Sequence, residues 1–222
     1  MKNFTLYPSL LSADLARLGE QATAVLAAGA DGLHVDVMDN HYVPNLTFGP
    51  WICEALKNYG IKTFFDVHLM VEPVDELIKR FIAAGASAIS FHPNATKDVA
   101  ASVQLIKNAG VKVGLALNPN VSLDCLDAHL ELLDFVLIMS VYPGFSGQAF
   151  IPSTYEKLAA LQEKLKRAKK TLEIAVDGGV CAENIQQLMN AGATTFVAGS
   201  AVFNQQSCKH NIDRLISAAH HD

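Results

Sequence analysis

One short phrase, alanine–glycine–alanine or a close variant, recurs along the chain and constrains its fold more than any other feature. Ala28-Gly29-Ala30 precedes Leu33-His34-Val35, Ala84-Gly85-Ala86 precedes Ala88-Ile89-Ser90-Phe91, and Ala109-Gly110-Val111 precedes Val113-Gly114-Leu115. Ala191-Gly192-Ala193 precedes Thr195-Phe196-Val197-Ala198, and Gly60 stands alone in the same place before Phe64. Each glycine follows a helical apolar pattern, where a left-handed C-cap is expected. A short run rich in β-formers follows each one. The chain therefore reads helix, glycine, strand, many times over.

Strands are predicted over 4–9, 33–38, 63–69, 88–92, 112–117, 135–141, 172–177 and 195–199. Helices are predicted over 15–28, 50–59, 73–84, 97–109, 122–128, 153–168, 182–191 and 208–219. Strands that alternate with helices form parallel βαβ units. Eight units in 222 residues leave about 28 residues each, the scale of a (β/α)8 barrel. The expected fold is α/β, a single (β/α)8 TIM barrel over residues 1–222 with no linker or second domain. A doubly wound open sheet is the alternative, but no GxGxxG follows the first strand. The closing His220-His221-Asp222 reads as a frayed tail rather than a metal site.

Composition narrows the function. The net charge is −5 and the basic residues are dispersed, which speaks against nucleic acid. Cys53, Cys125, Cys181 and Cys208 form no CxxC, so no disulfide framework or structural zinc site is expected. No apolar segment is long enough for a membrane span, and the N-terminus lacks a signal pattern. A cytoplasmic protein is the expectation. Phosphorylated substrates stay open, because helix N-termini hold anions without Lys or Arg.

Two strands carry unusual faces. In Leu33–Asp39 strict alternation places His34, Asp36 and Met38 on one face. In Phe64–Met70 it places Asp66, His68 and Met70 together. These groups are either buried and hydrogen-bonded for structure, or they hold something. Barrel active sites lie at the C-terminal ends of the strands, and the polar residues gather there: Ser9, His34, Asp36, His68, Asp177 and Ser200. His34, Asp36, His68 and Asp177 come from three strands and suit one divalent ion, zinc first, with iron, manganese or cobalt as alternatives. Without a cation, four buried ionisable groups carry a large desolvation penalty.

Three glycine stretches follow strands 6 to 8. They are Gly144-Phe145-Ser146-Gly147, then Gly178-Gly179 after Asp177, then Gly199-Ser200. Glycine lets backbone N–H groups approach an anion closely, so a phosphate grip is expected here; each pair taken alone is a plain turn. Met38, Met70 and Met139 lie near the same mouth, as gap-filling core or as an apolar collar. Two carboxylates on one cation suit a 2-keto sugar. The ion polarises the carbonyl, one carboxylate takes the α-proton, and the other returns a proton on the opposite face.

The motifs Pro8-Ser9-Leu10-Leu11-Ser12-Ala13-Asp14, His34-Val35-Asp36-Val37-Met38-Asp39, Val43-Pro44-Asn45, Asp66-Val67-His68-Leu69-Met70, Pro143-Gly144-Phe145 with Gly147-Gln148, and Val176-Asp177-Gly178-Gly179 resemble the ribulose-phosphate 3-epimerase family. The resemblance implies a metal-dependent isomerase of the pentose phosphate pathway. Its reaction would interconvert D-ribulose 5-phosphate and D-xylulose 5-phosphate. It implies His34, Asp36, His68 and Asp177 as metal ligands and Asp36 with Asp177 as the acid/base pair. It also implies Ser9 and His68 as substrate contacts, the three glycine stretches as the sugar-phosphate grip, and a methionine collar. It implies a homo-oligomer. Tyr142 and Ser146 depart from the family pattern beside the grip. An epimerase for a hexulose 6-phosphate such as D-allulose 6-phosphate is therefore the nearest rival. A barrel lyase or decarboxylase would need a site lysine, and a sugar-phosphate binder would not need both acids.

Overall fold

Eight parallel strands form one sheet in the computed structural model, which describes residues 2–219. They are β1 (Thr5–Pro8), β2 (Gly32–Met38), β3 (Phe64–Met70), β4 (Ala88–Phe91), β5 (Lys112–Leu117), β6 (Phe135–Met139), β7 (Glu173–Asp177) and β8 (Thr195–Ala198). The order β1-β8-β7-β6-β5-β4-β3-β2 pairs each strand with a sequence neighbour and brings β8 round to β1. The seam between β1 and β2 is closed more lightly. One isolated parallel bridge pairs Ser9 with His34. Asp31, just before β2, donates its N–H to the Leu6 carbonyl at 3.0 Å and accepts the Leu6 N–H on its carboxylate at 2.7 Å. The expected TIM barrel is present and nearly closed.

Among the described residues there are seven α-helices: α1 (Leu18–Ala27), α2 (Trp51–Tyr59), α3 (Asp75–Ala83), α4 (Val99–Asn108), α5 (Thr154–Ala168), α6 (Ile185–Asn190) and α7 (Cys208–Ala218). The glycines of the repeated phrase cap them as expected. Gly60 at the end of α2 has φ 109°, and its N–H returns to the Leu56 and Lys57 carbonyls.

The helix expected over 122–128 does not form. A 3-10 turn, Leu123–Leu126, stands there, capped by the Ser122 hydroxyl accepting the Asp124 N–H. So short a segment gives little return on helix nucleation. The carbonyls ahead of the turn are met from elsewhere: Lys157 Nζ in α5 donates to Asn118 at 2.6 Å and Val121 at 2.7 Å. The expected helix over 15–28 likewise opens with a 3-10 turn, Leu15–Arg17, and the one expected over 182–191 is helical only in α6. The frayed tail expected at 220–222 lies outside the described residues.

The outward strand faces (Val35, Val67, Ile89, Leu115, Ile138 and Val176 among them) join the helices in the main apolar core. Inside the barrel the two walls differ. Ala88, Ala116, Phe135, Leu137, Met139 and Ala175 pack as an apolar wall. Facing it, β2 and β3 pair His34 with Asp66, Asp36 with His68 and Met38 with Met70. Parallel pairing in this register turns two alternating sequence patterns into one polar patch at the C-terminal mouth.

Candidate metal centre and sugar-phosphate pocket

Each acid is held at its strand end by a hydroxyl. Thr47 Oγ1 donates to the Asp36 carbonyl at 2.6 Å and accepts the Met38 N–H at 2.9 Å, pinning the end of β2. Fully buried Ser140 donates both its N–H and its Oγ–H to the Asp177 carbonyl, each at 2.8 Å, pinning the end of β7. Asp39, beyond β2, is a loop organiser. Its carboxylate accepts the N–H groups of His41, Tyr42 and Glu72, each at 2.8 Å.

The four residues expected to hold a metal converge, with ligand atoms all within 4.8 Å of one another. Asp36 Oδ1 lies 3.2 Å from His34 Nε2 and 3.3 Å from His68 Nδ1. Asp177 Oδ2 lies 3.6 Å from His68 Nδ1 and 4.0 Å from His34 Nε2. Ligands about 2.1 Å from a tetrahedral ion stand about 3.4 Å apart, so these separations bracket the spacing such an ion needs. Two imidazoles and two carboxylates also match the chemistry of a borderline divalent ion. On spacing and chemistry the group fits.

Electrostatics point the same way. Burial disfavours charge on His34 and His68. The carboxylates of Asp36, with Asp66 for His34 and Asp177 for His68, outweigh that and raise both imidazole pKa values, His34's well above its ordinary range. Burial pushes Asp36 up too, but His34 and His68 overcome it and hold the carboxyl far below its ordinary value. Asp177 goes the other way: burial and the nearby Asp36 charge raise it. An ionised Asp36 among two raised imidazoles and a raised Asp177 is a cluster in which each charge depends on the others.

Above the cluster opens a pocket at the mouth of the barrel. Its lining includes Ser9, Asp36, Asp177, the three methionines Met38, Met70 and Met139, and the whole stretch Gly144, Phe145, Ser146 and Gly147. Gly178, Gly179, Gly199 and Ser200, after the neighbouring strands β7 and β8, line it too. Gly178 has φ +108°, and a Cβ there would lie 2.4 Å from Val141 Cγ2, so only glycine fits that turn. Gln148 Nε2 braces the loop by donating to the Tyr142 and Phe145 carbonyls at 2.7 and 2.9 Å.

Three placements differ from a simple reading of the sequence. His68, expected to touch substrate as well as metal, has no exposed surface and lies beneath the pocket floor rather than in its lining. Ser9 does line the pocket, but its hydroxyl is already given to Asp36 Oδ2 at 2.5 Å. Of the two departures from the family pattern, Ser146 lines the pocket, whereas the Tyr142 side chain is exposed and outside it.

Two residues were missed as parts of the site. Asp66 accepts the His34 Nδ1 proton at 2.8 Å, which leaves Nε2 aimed at the centre. His92, buried just past β4, sets its Nε2 2.9 Å from His68 Nε2. The signal was available in both cases. Asp66 shares the face of His68, and Ser90 and His92 continue the inward face of Ala88.

The chain matches the ribulose-phosphate 3 epimerase family model over residues 5–203. It is a member of the ribulose-phosphate 3-epimerase family. Among named relatives in this family of isomerases, the ribulose-phosphate 3-epimerase of Escherichia coli (strain K12) is 52% identical over 217 residues, spanning 98% of this chain and 96% of its own. That of Serratia marcescens is 54% identical over 205 residues, spanning 92% and 98%. Solved structures share the fold. KGPDC from Streptococcus mutans superposes with TM-score 0.71 at 13% identity, covering 97% of this chain and 96% of its own. The 3-keto-L-gulonate-6-phosphate decarboxylase of Vibrio cholerae superposes with TM-score 0.72 at 15% identity, covering 99% and 98%. At such identities these superpositions speak to the barrel alone. Among the described residues no helix is long and apolar enough to cross a membrane.

Proposed function

We propose that this family member interconverts D-ribulose 5-phosphate and D-xylulose 5-phosphate, with Asp36 and Asp177 as the acid/base pair over one divalent metal ion. The observation that carries the reading is the meeting of two carboxylates from β2 and β7 at one cation-sized cluster under a glycine-rich rim. His34, Asp36, His68 and Asp177 are the residues that would hold the ion, with zinc first by donor chemistry. When bound, it supplies Lewis-acid polarisation of the substrate carbonyl and charge to balance an enediolate.

The chain's own groups divide the remaining work. Asp36, held ionised by His34 and His68, suits the base, and Asp177, whose carboxyl burial and the Asp36 charge push upward, suits the acid. Environments that push two carboxyls apart are a general mark of an acid/base pair. The strands β2 and β7 stand on either side of β1 and β8, so their carboxylates reach a flat intermediate from different directions. Backbone N–H groups around Gly178, Gly179, Gly199 and Ser200, with Gly144 to Gly147 after the adjacent strand, offer the phosphate its donors. Met38, Met70 and Met139 form the apolar edge that limits water at the reacting carbons.

A hexulose 6-phosphate substrate is not favoured: the named relatives are ribulose-phosphate 3-epimerases. The outward Tyr142 removes half of the original reason for it. Decarboxylation is not favoured either, since no lysine lines the pocket. The reading includes a cytoplasmic homo-oligomer, with exposed Leu46, Trp51 and Tyr59 on and before α2 as supporting apolar surface. The test is a metal analysis paired with a ribulose 5-phosphate assay before and after chelation. About one divalent ion per chain, activity lost on stripping and recovered on readdition, is expected. Full activity in a stripped protein would overturn the reading.

A further inference from the structure

We propose that His92 is a positioning residue of the metal centre, holding the proton-bearing nitrogen of His68 away from the cluster so that Nδ1 is the atom left to ligate. The inference rests on the metal reading above. The argument is a count of hydrogens. His92 Nε2 and His68 Nε2 are 2.9 Å apart, so one hydrogen stands between them. Nδ1 of His68 is the nitrogen that faces Asp36 Oδ1 at 3.3 Å and Asp177 Oδ2 at 3.6 Å. A cation held there takes the Nδ1 lone pair and leaves the ring hydrogen on Nε2. The hydrogen between the two rings then belongs to His68, and His92 Nε2 accepts it.

The neighbours keep His92 in this role. It is 1% exposed. The Tyr42 ring stacks on it at 4.9 Å and 27°. Tyr42 is itself tethered, donating to Asn94 Oδ1 at 2.9 Å and accepting from Asn118 Nδ2 at 3.2 Å. The two imidazole ligands thus present opposite nitrogens for one reason. Asp66 takes the Nδ1 proton of His34, and His92 takes the Nε2 proton of His68. An outer partner that fixes a ligand's tautomer typically changes metal affinity 10- to 100-fold when removed.

The test uses zinc-loaded full-length protein and needs no assay of turnover. Long-range ¹H–¹⁵N spectra of the wild type are expected to show His68 with a proton on Nε2 and zinc on Nδ1. Zinc affinity, measured by competition with a chromophoric chelator, is expected to fall about 10- to 100-fold in His92→Leu. His92→Gln, which keeps an acceptor, is expected to recover most of it. Wild-type spectra with zinc on Nε2 of His68 would overturn the proposal without any variant. Equal losses in the Leu and Gln variants would make His92 a packing residue and overturn it as well. Zinc held by the wild type with no dependence on His92 sinks this inference alone, whereas a wild type that binds no zinc sinks the metal reading with it.

Discussion

Ser9 Oγ donates to Asp36 Oδ2 at 2.5 Å across the one edge of the barrel that lacks a full ladder. The hydroxyl therefore serves the carboxylate proposed as the base, fixing its rotamer and supporting its charge. A hydrogen bond to an ionised group contributes about 1.5–3 kcal/mol, and about 1.4 kcal/mol is tenfold in rate. Ser9→Ala is expected to lower kcat about 10- to 100-fold with the fold retained. Steady-state kinetics beside a thermal melt checks this, and an unchanged kcat would remove Ser9 from the chemistry.

Asp177 separates one-base from two-base proton transfer. It is buried against His68 and His34 and pinned through its carbonyl by Ser140. Asp177→Asn is expected to cut epimerisation by at least about 100-fold, the lower range for losing a general acid. Exchange of the C3 hydrogen of ribulose 5-phosphate with deuterated solvent should persist better than epimerisation, because Asp36 remains. Losing both in equal measure would argue that Asp177 acts on binding rather than on proton return.

The raised imidazoles make the metal-free protein pH-sensitive. His34 and His68 have folded pKa values above the unfolded value of about 6.5, through their carboxylate partners and against burial. That stabilisation is complete below about pH 6.5 and fades as pH rises through the folded values. Asp36 contributes in the opposite sense. Its lowered pKa gives stability above about pH 4 that is lost as acid protonates it. Stripped protein is expected to lose Tm on going from about pH 6 to pH 8.5, while the Tm gain from added zinc grows over the same interval as displaced protons leave. Melts of stripped and zinc-loaded samples across that range decide it. A Tm of the stripped form that climbs with pH would contradict the assignment.

The two positions that depart from the family pattern differ in consequence. Tyr142 is exposed and contributes only its carbonyl, to Gln148. Tyr142→Asn is expected to change KM for ribulose 5-phosphate less than about twofold, as for an unengaged surface site. Ser146 lines the pocket between Gly144 and Gly147. Ser146→Gly is expected to change KM more than kcat, since the position lies in the glycine loop proposed to hold the phosphate and outside the metal cluster. Reversed magnitudes in parallel assays would mean that the loop closes differently over substrate.

Gly178→Ala tests the rim. A Cβ at φ +108° with Val141 Cγ2 at 2.4 Å cannot be accommodated without moving one strand end. Strained backbone of this kind costs about 1–3 kcal/mol. A lowered Tm together with raised KM is expected, and a neutral effect on both would mean that the turn relaxes freely.

Much of this was legible beforehand because parallel strands keep sequence alternation intact. The faces of His34, Asp36 and Met38 and of Asp66, His68 and Met70 needed only a register to become one patch, and β2 and β3 pair in step. The helix-capping glycines were legible because their conformation excludes other residues locally. The missing fifth helix was not, because Lys157 of α5 supplies its carbonyl partners from far along the chain. His92 escaped for a similar reason. A lone histidine past a strand end gains meaning only when β3 and β4 bring its ring to His68. The hidden position of His68 and the outward turn of Tyr142 are likewise matters of packing depth, which periodicity does not encode.

The lightly stitched edge between the first two strands gives the metal a second consequence. An ion gripped by His34 and Asp36 on one side of that edge and by Asp177 on the other would span the gap like a clasp on a bracelet. The ion would then add to the Ser9 and Asp31 tethers at that edge a further link, from β2 across to β7.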